Sequence, residues 1–253
     1  MSIVPFGEGS MLVCRVAAAP VSRSAAYTSE MTSQLLYGET CVVTGLPERK
    51  WLPIRCSYDA YEGYVLKSQF DVLPEGHELP NPVYAFNSDG WLGYPETVLL
   101  PLGSVLSYIE PANYNGEVLK YKQLEASAEN IRHVAKMFLN VPYLWGGKSS
   151  FGTDCSGFTQ TVFRLMNIPL PRDAWQQAER GEAVGFLQEA RTGDLAFFDD
   201  EEGRIIHVGI LLNEREIIHA AGNVHIDPID HAGIIDARTG ERTHRLRIIK
   251  RIL

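Results

Sequence analysis

The sequence predicts an α+β protein in which small β-rich modules precede one helix-then-sheet domain. Three observations predict it. Residues 11–73 are a run of short apolar segments broken by turn residues, the hydrophobic period lengthens near Ser127, and strand-like segments return after a helix that begins at Cys155. Strands that follow helices, rather than alternating with them, favour α+β over a parallel βαβ sheet. The 253 residues divide accordingly into 1–73, 74–122 and 123–253.

In the first segment MLVCRVAA, QLLYGETCVVTGL, KWLPIRC and YEGYVL read as strands, with breaks at Pro20, Gly38, Pro47 and Gly63. Together they predict a small β-barrel. A second series, GHELPNPVYAFN and LGYPETVLLPLGSVLSYI, is richer in proline and of similar kind. In SAENIRHVAKMFLN, residues Ile131, Val134, Ala135 and Phe138 share a helical face, Ser127 and Asn130 offer start signals, and Pro142 follows the end. His133 falls among the polar residues of that helix and reads as a solvated histidine.

The chemistry centres on VPYLWGGKSSFGTDCSGFT, residues 141–159. In the helix that follows, Phe158, Val162, Leu165 and Met166 form the apolar stripe, while Asn167 and Pro169 stop it. Asp154 is the expected N-cap, which places Cys155 at the positive end of the helix dipole. A helix N-terminus can lower a thiol pKa and so expose a nucleophilic thiolate at neutral pH. The competing reading is a small cysteine that is merely well packed. PLPRDAWQQAERGEAV reads as a polar helix or loop, and GDLAFF, IIHVGILL, EIIHAA and RLRIIKRIL read as strands. His207 and His219 lie in two of them. A connection centred on Asn213 would set these histidines opposite one another, with Gly209 leaving room beside them, and would complete a nucleophile, base and orienter.

The composition narrows the partners. With 23 basic and 31 acidic residues the net charge is −8, which argues against nucleic-acid binding or adhesion to anionic lipid. No apolar run reaches a membrane span, and the N-terminus lacks the basic start and unbroken apolar segment of a signal peptide, so the expected location is cytoplasmic, or exported if a leader has been removed. Cys14, Cys41, Cys56 and Cys155 form no CxxC pair, which fits a reducing compartment and indicates no zinc site.

YLWGG ahead of DCSGF, then LPRD, GDLAFF, HVGI and IIHA, in that order, resembles the NlpC-type cysteine peptidases of bacterial cell-wall turnover. The resemblance covers roughly residues 125–253 and implies a papain-like core, with Cys155 as nucleophile, His207 as base and His219 as the third polar residue. It implies further that Tyr143, Trp145, Asp154 and Ser156 line a dipeptide pocket, with Tyr143 aiding the oxyanion, and that Asp173 meets substrate. YTSEMTSQLLYGETCVV, KWLPIR and YEGYV are similar to the bacterial SH3-like modules that precede one branch of the family, the γ-D-glutamyl-L-diamino acid endopeptidases, which carry two such barrels. In that branch the first barrel supplies a glutamate and a tyrosine for the substrate's free N-terminal L-alanine. The matching positions are Glu30 and Tyr61, with Tyr64, where the family usually has tryptophan, as a rival. Glu30 could instead be solvated and Tyr61 could pack the barrel. The branch often has serine after the LPRD aspartate, whereas this chain has Ala174.

The implied activity is hydrolysis of the γ-D-glutamyl-diamino acid bond in murein peptides of the type L-Ala-γ-D-Glu-diamino acid, by a monomer needing no metal or cofactor. The alternatives are a general wall endopeptidase or amidase on intact peptidoglycan, or a non-catalytic wall-peptide binder. A full set of Cys155, His207 and His219 argues against the last.

Overall fold

The computed structural model describes residues 6–74, 76, 81–86, 91–92, 98–107, 118–120 and 124–253. Two compact units emerge. One contains Met1–Gln123 together with Trp145–Ser150, and the other contains Leu124–Leu144 with Phe151–Leu253.

The first unit is built on seven antiparallel strands: β1 (Met11–Cys14), β2 (Ala18–Ser22), β3 (Met31–Leu36), β4 (Thr40–Val43), β5 (Trp51–Cys56), β6 (Glu62–Leu66) and β7 (Phe70–Val72). They are ordered β3-β2-β6-β5-β4-β1-β7, so among the described residues the SH3-like sheet ends on two unjoined edges and the expected barrel is left open. Alternate residues of these strands, among them Leu12, Cys14, Leu35, Cys41, Leu52, Ile54 and Val65, meet in one core. The turn between β3 and β4 needs a glycine. Gly38 has φ +75°, and a Cβ there would lie 1.9 Å from the Val105 carbonyl oxygen.

For the expected second module, the described residues form two antiparallel pairs. β8 (Val83–Ala85) pairs with β11 (Val118–Lys120), and β9 (Trp91–Leu92) pairs with β10 (Val98–Leu99). Ala85, Leu100 and Leu106 gather around Tyr37 of the first sheet. The remainder of GHELPNPVYAFN and LGYPETVLLPLGSVLSYI lies outside the described residues.

In the second unit α1 (Ala128–Met137) is capped by Ser127, whose side chain accepts from the Asn130 N–H, and it ends before Asn140 at φ +67°. His133 is exposed, as expected. The short strands β12 (Lys148–Ser149) and β13 (Gly152–Thr153) precede α2 (Cys155–Arg164), all ten residues of which are buried. Its polar residues are therefore bonded: Thr159 Oγ1 donates to Gln177 Oε1 at 2.7 Å, and Gln160 Nε2 to the Leu170 carbonyl at 3.0 Å. PLPRDAWQQAERGEAV proves to hold one short helix, α3 (Ala174–Gln177), and a strand, β14 (Glu182–Val184).

Six more strands follow, four of them expected: β15 (Leu195–Asp199), β16 (Ile205–Leu211), β17 (Glu216–Ala221) and β20 (Arg242–Arg251) fall on the four apolar segments. Between them the structure adds β18 (Asn223–Asp230) and β19 (Gly233–Ile235), which the apolar pattern did not announce. The order is β14-β20-β15-β16-β17-β18-β19, and β19 also pairs with β20, so strands β15 to β20 close on themselves. Ala196, Phe198, Leu211, Ile217, Ile229, Ile234 and Ile249 pack together within this sheet, while α2 lies against β16 and β17.

Candidate active site

At the start of α2 the Asp154 carboxylate accepts the Gly157 N–H at 2.7 Å, the N-cap bond that the sequence predicts. Its other partner was not foreseen. Arg172 of the LPRD stretch, 2% exposed, reaches both Asp154 oxygens, at 3.0 and 2.5 Å, and also lies 2.9 Å from Ser156 Oγ. Asp154 and Ser156 therefore spend their polar groups holding the helix start. The signal for Arg172 was present, since a basic residue inside an otherwise apolar LPR run needs a carboxylate when buried.

Cys155 occupies the first helical position and is 7% exposed. Its backbone N–H has no acceptor within the helix, which aims a donor at the space around the sulfur. The expected low thiol pKa is not what the surroundings produce. Burial pushes the thiol up to about 12, the nearby Asp154 charge adds to the rise, and hydrogen bonds from the Val208 and Ser156 backbone offset only part of it. Burial of the sulfur outweighs the helix dipole because desolvation acts on the whole thiolate charge, whereas the dipole contributes about half a charge. Tyr143 is in the same neighbourhood: burial, then the proximity of Cys155 and Asp154, raises its phenol.

The neighbour of Val208 is His207, 5% exposed. The predicted register is off by two residues, since His219 faces Gly209 rather than His207. Both histidines nevertheless remain on one face, because the offset is even. His207 Nε2 lies 2.9 Å from His219 Nδ1. Gly209 makes this possible, for a Cβ there would sit 2.9 Å from His219 Cβ and 2.7 Å from Ile217 Cδ1.

The chain of contacts runs on to a residue that the sequence reading missed. His219 Nε2 is 3.2 Å from Asp227 Oδ2, and His225 Nε2 is 3.1 Å from the same oxygen. Asp227 Oδ1 accepts the Ala237 N–H at 3.0 Å. Burial opposes the Asp227 charge, yet these bonds outweigh it and hold the carboxyl down to about 2. An ionised carboxylate only accepts, so His219 carries its proton on Nε2 and presents a lone pair on Nδ1. His207 must then donate from Nε2, which leaves its own Nδ1 as the acceptor. Burial, with His219, His244 and His225 around it, lowers the His207 pKa well below the ordinary value, and His244 stacks on the ring at 4.2 Å between centroids. Both ends of the site are thus neutral at pH 7. His225 and Asp227 lie on β18, where His225 pairs directly with His219, and their one signal in the sequence is the polar row Asn223, His225 and Asp227 at alternate positions.

The remaining predicted residues are divided between the units. In the first, the Trp145 indole N–H donates to Glu30 Oε1 at 2.7 Å, and Arg23 lies 3.0 Å from Glu30 Oε2. Glu30 is exposed, yet both of its carboxylate oxygens are engaged. Tyr61 is partly buried against the sheet core, and Tyr64 has Glu48 beside it, which raises its phenol. In the second unit Asp173 precedes α3 and its N–H donates to Gln176 Oε1 at 3.4 Å, so with Ala174 following it this residue acts locally as a cap.

Comparison with known proteins agrees with this geometry. Residues 140–243 match the NlpC/P60 family and residues 21–70 match the bacterial dipeptidyl-peptidase SH3 domain. A gamma-D-glutamyl-L-lysine dipeptidyl-peptidase from Bacillus subtilis is 31% identical over 213 residues, covering 74% of this chain and 71% of its own. Dipeptidyl-peptidase 6 of Lysinibacillus sphaericus is 25% identical over 240 residues, covering 80% and 85%. The crystal structure of an NlpC/P60 family protein from Bacillus cereus shares the fold with a TM-score of 0.80 at 19% identity, over 96% of this chain and 100% of that one. Fold and relatives together define a cysteine peptidase with an SH3-like N-terminal sheet. The chain belongs to the NlpC/P60 family of cell-wall peptidases.

Proposed function

We propose that the protein hydrolyses the γ-D-glutamyl bond to a diamino acid in murein peptides that carry a free N-terminal L-alanine. The observation that carries this reading is the Bacillus subtilis relative, named for a γ-D-glutamyl-L-lysine substrate, whose match covers 74% of the chain, more than the peptidase segment alone. In the proposed reaction Cys155 sulfur attacks the γ-glutamyl carbonyl carbon while its proton passes to His207 Nδ1. Because the thiol and the imidazole start neutral, proton transfer accompanies attack instead of preceding it. The Cys155 N–H, with Tyr143, steadies the oxyanion. The imidazolium then protonates the leaving amine, and water, deprotonated by His207, releases the acyl group. His219 and Asp227 are positioning residues: they keep the His207 proton on Nε2 and support the charge that forms on the ring.

We assign the free-amine requirement to Glu30 and Tyr61, the positions that the family resemblance implies, and contact with the peptide to Asp173. A charge-assisted hydrogen bond contributes about 1.5–3 kcal/mol, so Glu30→Ala should lower kcat/KM on L-Ala-γ-D-Glu-diaminopimelate roughly ten- to a hundredfold. On the N-acetylated peptide, already a poor substrate, the same change should cost little. Efficient cleavage of the acetylated or glycan-linked peptide by the unaltered enzyme contradicts the reading and favours a general wall endopeptidase. A Cys155→Ala variant must be inactive on both.

A further inference from the structure

His219, His225 and Asp227 converge from β17 and β18 with one ligand atom of each within 4.8 Å of the others, and His219 Nε2 and His225 Nε2 lie 3.2 and 3.1 Å from the shared Asp227 Oδ2. A tetrahedral zinc ion with ligands at about 2.0–2.1 Å sets its donor atoms about 3.3 Å apart, so the two nitrogen-to-carboxylate separations already match that spacing. The second ring nitrogen of each histidine and the second carboxylate oxygen are held from behind. His225 Nδ1 meets the Asn223 carbonyl at 2.9 Å, His219 Nδ1 meets His207, and Asp227 Oδ1 takes the Ala237 N–H at 3.0 Å. Such outer contacts fix ligand orientation in metal centres.

His225 shows why a cation suits the place. Its Nδ1 faces a carbonyl, an acceptor only, and must carry a proton. A neutral His225 then turns the lone pair of Nε2 toward the carboxylate, two acceptors 3.1 Å apart with nothing between them. A metal ion between the two acceptors relieves that conflict. The His225 side chain is 24% exposed while Asp227 is 5% exposed, so the histidine edge is the route of entry. Two imidazoles and one carboxylate favour zinc and its neighbours over magnesium or calcium.

We propose that His219, His225 and Asp227 form an inhibitory site for one zinc ion or similar transition-metal dication, separate from the thiol. The consequence for activity rests on the catalytic reading above. A metal on His219 Nε2 displaces that proton, and the neutral ring then keeps its proton on Nδ1 and donates it to His207 Nε2. His207 must in turn hold its own proton on Nδ1, where the base is needed. Occupancy therefore switches off the base without touching Cys155.

Binding and inhibition are tested apart. Titration of Cys155→Ala protein with zinc by calorimetry, and with cobalt by its visible d–d absorption, removes the thiol as a competing ligand. One ion per chain should bind, and His225→Ala in the same background should weaken binding at least tenfold, with His225→Gln as a second variant should alanine unfold the sheet. Zinc inhibition of otherwise unaltered enzyme, each variant measured against its own metal-free rate, should lose sensitivity at least tenfold in His225→Ala. Loss of all binding on removing the thiol, or undiminished binding in both His225 variants, overturns the site. If the site binds as stated and the peptide is not cleaved by metal-free enzyme, it is the catalytic reading that fails.

Discussion

Two buried carboxylates, Asp154 and Asp227, frame the site in different ways. Asp154 is paired with Arg172, a partner that is always charged, and the pair locks the first turn of α2. Asp227 is paired with His219 and His225, whose protons can move. Arginine makes a carboxylate into a fixture, whereas histidine makes it the end of a relay. The thiol is held in place by the first arrangement and the base is oriented by the second.

The sharpest way to break the comparison is at the fixture. Arg172→Ala leaves Asp154 as an uncompensated buried charge, which costs about 3–5 kcal/mol and should lower Tm by on the order of 10 °C. Thermal denaturation checks this, and a Tm within two or so degrees of the parent would make the pair an ornament. At the thiol the comparison is sharpened by pH. A thiol raised by burial has its ionised fraction fall about tenfold for each pH unit below its pKa, so iodoacetamide labelling of Cys155 should climb about a hundredfold from pH 7 to 9 without a plateau. A plateau near neutrality would mean a pre-formed thiolate. On the relay side, Gly209→Ala forces a shift of His219 or Ile217, because the added Cβ would lie 2.9 Å from His219 Cβ and 2.7 Å from Ile217 Cδ1. With positioning this tight, kcat should fall roughly tenfold with little change in KM, and steady-state kinetics read both.

Much of this was legible from sequence. The N-cap at Asp154, the stripe of α2, the stop at Asn167 and four of the strands all follow from short-range patterns, which the backbone obeys locally. What escaped depends on partners distant in the chain. The pairing of His219 with Gly209 is set by the turn around Asn213, whose own bonds to Glu216 and Arg215 fix its length. β18 was hidden by its proline and its polar residues, because Pro228 and the alternating Asn223, His225 and Asp227 do not look like a strand until the closed sheet supplies neighbours on both sides. The high thiol pKa needed the burial of Cys155, and burial is a property of the whole unit. Arg172 was readable only as half of a pair.

The most direct test of the account compares Asp154→Asn with Asp227→Asn. Asparagine at 227 can keep the Ala237 bond through its carbonyl oxygen, but its amide then donates toward His219 Nε2, which shifts the His219 proton to Nδ1 and blocks His207 as the base. By analogy with the loss of the orienting carboxylate in a serine-peptidase triad, kcat should drop by about 10²–10⁴ while KM and Tm hold. Asp154→Asn should do the reverse, lowering Tm because Arg172 loses its charge partner. Asp227→Asn turning over at the parent rate with an unchanged pH profile would contradict the relay.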